Sequence, residues 1–121
     1  MNKNTAIDFL HLAAAGKARE AFSRHAAPGF RHHNPWFKGD AASLAAAMDD
    51  NAAKNPGKTL RAVHAIEEGD MVSVYSEVHH KPGDRGVAVV HIFRFEGDRI
   101  AELWDVGMEV PENAANENGM F

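Results

Sequence analysis

Three side chains in this sequence have the chemistry to move a proton next to a carbonyl: His33, His91 and Asp105. His91 interrupts the apolar run VVHIFRF, and Asp105 lies in the following run AELWDVGM. A carboxylate beside an imidazole would orient the ring and favour the imidazolium, so the two could serve as base and acid on an enolisable ketone. A carboxylate in a strand interior needs a partner or shifts its pKa upward. Structural roles stand beside the chemical ones. His91 could be a core histidine bonded to a carbonyl or to Ser76, and Asp105 could sit at a sheet edge paired with an arginine. The three residues would also make a two-histidine, one-carboxylate metal set. No HxH or HExxH spacing supports that set, so no metal is assigned.

The elements that must position these residues change character once along the chain. The first half is alanine-rich and helical, and the second is β-branched with turns. That order points to α+β. Asn4 or Thr5 can cap a first helix bearing Ile7, Phe9, Leu10, Leu12 and Ala13, with Gly16 as its break. KAREAFSRHA reads as a second helix ended by Pro28-Gly29, and FRHHN as a short extended piece before Pro35. GDAASLAAAMDDNAAKN is a third helix, capped by Asp40 and stopped by Pro56-Gly57. TLRAVHAIEEG, DMVSVYSEVHH, VAVVHIFRF and RIAELWDVGM then form four strands, the last three as a meander. The helices should cover one face.

Parity decides which side chains share that face. With His80 opposite Val87 and a three-residue EGD loop placing Phe95 opposite Arg99, Ser76 faces His91 and Val89 faces Asp105. Ser76, Val78, Val89, His91, Phe93, Leu103 and Asp105 then share one apolar-majority face. A two-residue turn would put Trp104 beside His91 and send Asp105 to the other side. The first register is preferred, and it leaves Trp104 on the outer face, expected to be buried by a second subunit. Of the adjacent pair His32 and His33, only one can enter a pocket. The tail ENAANENGMF ends in two apolar residues expected to dock over the pocket mouth or on a partner subunit.

Bulk properties narrow the field. The 121 residues suffice for one domain, 1–121. A net charge of −4 without a basic cluster argues against nucleic acid and anionic membranes as partners. The absence of cysteine excludes thiol catalysis and Cys-bound zinc. The N-terminus is a poor signal peptide and too short to span a bilayer, so a cytoplasmic location is expected. No glycine-rich phosphate loop or suitably placed Schiff-base lysine implies a cofactor.

FRHHNPWFKGD, AVVHIFRFEGDRIAELWDV and VPENAANENGMF together resemble the SnoaL-like polyketide cyclase family, and within it a small bacterial branch associated with aldol condensation. That family belongs to the nuclear-transport-factor-2-like superfamily, which also holds ketosteroid isomerase. The resemblance implies a cone: a curved, mainly antiparallel sheet wrapped around N-terminal helices, with a deep apolar pocket and dimerisation through the outer sheet face. It implies that Asp105 is the acid/base of an intramolecular aldol closure and that His33 and Asn34 match a His-Asn-Pro motif. His91 stands where members usually have aspartate. Of ketosteroid isomerase's functional groups, the base falls at Asn34, the oxyanion tyrosine near Phe9 and the second donor at His91, so steroid isomerisation is not implied. The expectation is therefore acid/base condensation or isomerisation of a small apolar carbonyl compound, without cofactor. Asp105, His91 and His33 would be catalytic, and Asn34, Trp36, Phe9, Ser76, Val89, Phe93 and Leu103 would line the pocket. A ligand-binding or dimerisation module of the same fold is the alternative.

Overall fold

The computed structural model describes all 121 residues, Met1–Phe121. Three helices and five strands follow in the order α1 (Asn2–Ala14), α2 (Ala18–His25), β1 (Ala26–His32), α3 (Ala41–Lys54), β2 (Thr59–Glu68), β3 (Met71–His79), β4 (Val87–Glu96) and β5 (Arg99–Glu109). The expected α+β class holds. No helix is long and apolar enough to cross a membrane.

Helix starts are set by long-range contacts as well as local caps. α1 begins at Asn2, before the expected Asn4 or Thr5, and has no side-chain cap. Instead Lys3 N donates to Glu67 Oε1 (2.8 Å) and Asn2 Nδ2 donates to Gly97 O (3.2 Å). Asp49 of α3 accepts from Ala18 N (2.8 Å) at the start of α2, satisfying an otherwise orphan donor. Asp40 caps α3 as expected, accepting from Ser43 N (2.9 Å) and Ser43 Oγ (2.8 Å).

The sheet order is β1-β5-β4-β3-β2, antiparallel except for the parallel pair β1 and β5. The helix-to-strand boundary differs from expectation. β1 starts directly after α2 and runs through Pro28-Gly29, which lie in an edge strand where pairing is interrupted between Ala26 and Arg31. An edge strand tolerates the missing proline donor.

The β3–β4 register is shifted by two residues from expectation: Val78 pairs with Val87 and Val74 with His91. The loop is wider because Asp84 organises it. Its carboxylate accepts from His80 N (3.0 Å), Lys81 N (3.2 Å) and the His79 ring (2.6 Å). A shift of two preserves parity, so the residues facing the helices are unchanged.

The β4–β5 turn corrects the three-residue loop. Glu96 pairs with Arg99, leaving Gly97-Asp98 as a two-residue turn with Gly97 at φ 62. Alone, that turn would have sent Asp105 outward. The register then slips between Arg94 and Phe95: Phe95 pairs with Ile100 and Arg94 with Glu102, so Ala101 is the extra residue of a bulge. The bulge restores parity and sets His91 directly opposite Asp105.

α1 buries Ala6, Phe9, Leu10 and Ala13, a helical stripe packed on the sheet. Phe9 meets Phe22 (centroids 5.0 Å) and Phe93 (5.9 Å) edge-on, and Phe22 meets Phe30 (4.9 Å) in the same way. Val72, Val74, Ile100 and Leu103 complete the layer from the sheet side.

Candidate functional site

A cavity of about 240 Å³ remains where α1, α3 and the sheet diverge. Its apolar wall includes Leu10, Leu44, Met48, Leu60, Val78 and Val89, and its polar groups are Asn34, Asn51, Lys58, His80, His91 and Asp105. An apolar enclosure with a few convergent polar groups is the usual form of a small-molecule site.

Asp105 reaches this cavity because of the Ala101 bulge. Its Oδ2 accepts from Asn34 Nδ2 (3.1 Å), and it forms no ion pair. Asn34 is held in turn. Its Oδ1 accepts from Trp36 N (3.0 Å), which fixes the amide so that the NH₂ faces Asp105. Its backbone N–H donates to His32 Nδ1 (3.1 Å), while His32 Nε2–H donates to Lys38 O. These contacts assign the His32 tautomer. His32 is therefore a buried strut behind Asn34. This answers which histidine of the pair points inward: strand alternation turns His32 in and His33 out.

His33 does not line the cavity. Its Nε2–H donates to Glu102 Oε2 (2.6 Å) on the outer sheet face, and its ring stacks on Trp104 (4.9 Å, 7°). Trp104, expected against a second subunit, is thus half-covered within its own chain. Glu102 is buried and also binds Arg31 Nε (2.9 Å) and Arg94 Nε (3.2 Å). His33, Arg31 and Arg94 hold its carboxyl at about 2, below the ordinary 4.5. No three histidine or carboxylate side chains gather as metal ligands; His33 borders the outer groove with Asp105 but not the cavity that His91 lines.

His91 borders the cavity opposite Asp105, with its Nδ1 buried and without a partner. Ser76 Oγ is also buried without a partner, so the two do not satisfy each other. Burial pushes the His91 pKa from 6.5 down to about 4. Asp105 opposes that shift and the Lys58 charge adds to it. Desolvation outweighs the carboxylate, and the ring is a neutral imidazole rather than the expected imidazolium.

The other expected lining residues divide. Asn34 and Val89 line the cavity. Phe9, Ser76, Phe93 and Leu103 lie behind it, fully buried in the core. Trp36 is 83% exposed and borders an outer groove shared with Asp105, Val106 and Met108, while its neighbour Phe37 lines the cavity itself. Sequence reasoning missed Lys58 and Asn51. Asn51 lies on α3, and Lys58 follows the Pro56-Gly57 stop in no recognisable motif.

Comparison with known proteins agrees with this architecture. The SnoaL-like domain matches residues 6–103. No curated protein matches the sequence. Among solved structures, AclR of Streptomyces galilaeus superposes with a TM-score of 0.73 at 18% identity, covering 88% of each chain. A protein named for the SnoaL-like polyketide cyclases from Jannaschia sp. gives 0.72 at 16%, covering 88% of this chain and 84% of that one. A cystatin-fold protein from Novosphingobium aromaticivorans gives 0.71 at 18%, covering 87% of this chain and 97% of that one. At these identities the likeness concerns the fold, and the match over residues 6–103 supplies the family: this chain belongs to the SnoaL-like domain family.

Proposed function

We propose that the cavity is a cofactor-independent acid/base site for a small, largely apolar carbonyl compound. The observation that carries this reading is Asp105: a carboxylate on an apolar cavity wall, with no cation partner and one oxygen held by an oriented amide. Its Oδ1 has no protein partner and is available as a base. It removes the proton beside the ligand carbonyl, and the neutral His91 ring donates a hydrogen bond to the enolate oxygen that forms. A neutral imidazole suits that role, since its N–H stabilises the developing charge without surrendering the proton beforehand. In an aldol closure, the enolate carbon attacks a second carbonyl and the new alkoxide takes the proton back from Asp105. In an isomerisation, Asp105 returns it to a different carbon.

Exchange of the α-protons of tetralone for deuterium, followed by NMR, tests the first step without knowledge of the natural substrate. The protein should accelerate exchange over buffer, and Asp105→Asn should remove the acceleration. Exchange at the buffer rate with wild-type protein, or full activity in Asp105→Asn, leaves only the ligand-binding alternative.

The outer sheet face is further proposed to seat a second copy of the chain. Val106, Ile66 and Met108 support this reading as exposed apolar side chains on a sheet surface. Sedimentation showing only monomer at micromolar concentration would contradict it.

A further inference from the structure

The cavity has a second polar end. Lys58 lines it from the loop between α3 and β2, and its Nζ donates to Asn51 Oδ1 (2.7 Å). That bond uses one of three ammonium donors. It also fixes the Asn51 amide, because only the oxygen can accept, so the Asn51 NH₂ group remains a donor. Lys58 forms no ion pair. Asp49 borders the recess behind it, but its Oδ1 accepts from Ala18 N at the start of α2. An ammonium in a largely apolar wall without a counterion is costly. Burial pushes its pKa down from 10.5.

Asp105 and Lys58 are not partners, and they border different outer hollows. Asp105 lies beside the groove of Trp36 and Val106, and Lys58 beside the recess of Gly16 and Pro56. An anion would be repelled at the first end and attracted at the second. One ammonium with a neighbouring amide suits a singly charged carboxylate better than a dianionic phosphate.

Resting on the carbonyl-compound reading above, we propose that Lys58 and Asn51 form a seat for a monoanion and that the cavity takes a keto acid. The carboxylate sits on Lys58, the apolar body lies along Met48, Leu60 and Val78, and the keto end is presented to His91 and Asp105. Lys58 then acts in binding and orientation, fixing which carbon meets the base.

Calorimetric titration with benzoylpropionate and its primary amide tests this at neutral pH. The two probes differ only in the charged group. Wild type should bind the carboxylate at least about tenfold more tightly than the amide, the range expected for hydrogen bonds to a charged group. Lys58→Met should bring the two affinities together, and Asn51→Leu should narrow the gap by about threefold. Should Lys58→Met not fold, the wild-type pair and Asn51→Leu decide the matter. Asp105→Asn should keep or widen the preference, because it removes a repelling charge. Equal affinity in wild type, binding of neither probe, or a preference surviving Lys58→Met overturns the seat. A preserved preference in a protein that fails to exchange tetralone overturns the catalytic reading and leaves the seat standing.

Discussion

Glu102 and Asp105 lie on one strand and face opposite ways. Glu102 points outward, is buried, and is surrounded by Arg31, Arg94 and His33. Asp105 points into the cavity and has a single amide for company. The histidines divide in the same way. His33 outside is bonded and stacked, whereas His91 inside has a buried nitrogen with nothing to bond. Both faces carry charge chemistry, but only the inner one leaves valences open. On the outer face the fold satisfies the charged groups, whereas on the cavity wall the Asp105 carboxylate keeps one oxygen without a protein partner.

This contrast can be broken in several ways. The largest expected effect is on chemistry: Asp105→Asn should slow deuterium exchange by about a hundred- to ten-thousand-fold, the range for losing general acid–base help. Melting temperature should hold or rise, because a carboxylate without a cation partner leaves the cavity wall.

On the outer face, Glu102→Gln should give a clear loss of melting temperature, since two arginines and a histidine lose their shared anion. The sign of its pH dependence follows from the depressed pKa. The contribution is present above about 4.5 and is lost as pH falls through about 2. The melting difference between wild type and variant should therefore shrink across that window, as acid-range calorimetry would show.

His91→Gln should lower exchange less than Asp105→Asn, because a donor remains possible. Its stability relative to wild type should respond to acid in the same sense as that of Glu102→Gln, but in a higher pH window. Between 6.5 and about 4 the unfolded wild-type chain binds a proton that the folded chain refuses, so wild type loses stability across that interval and the variant is spared. Thermal melts of the pair from neutral to mildly acid pH check this.

The smallest effect concerns the tail. Tyr75 Oη donates to Met120 O (2.7 Å) and its ring lies 6.1 Å from that of Phe121, so the C-terminus docks on the outer face of its own sheet. Removing Gly119 to Phe121 should cost about 1 kcal/mol, the net worth of one hydrogen bond with modest packing. Denaturant titration measures it, and exchange activity should be unchanged.

Much of this contrast was legible in the sequence because alternation is robust. Strand boundaries followed from apolar runs and from the repeated Glu-Gly-Asp turns, and the shared face of Ser76, Val89, His91, Phe93, Leu103 and Asp105 followed from parity. The route to that face was not legible. A two-residue turn and a bulge at Ala101 compensate each other, and nothing local in Arg-Ile-Ala-Glu marks the extra residue. The strand through Pro28-Gly29 was hidden because its pairing partner, β5, lies at the far end of the chain. The inward turn of His32 depended on where β1 joins that partner. Lys58 was invisible for the same reason: a lysine in a loop becomes a cavity residue only when α3 and β2 close around it.

The most direct test measures melting temperature and tetralone exchange on Asp105→Asn and Glu102→Gln side by side. The expected result is crossed: Asp105→Asn keeps its melting temperature and loses exchange, and Glu102→Gln loses melting temperature and keeps exchange per folded molecule. A destabilised Asp105→Asn with full exchange activity would contradict it.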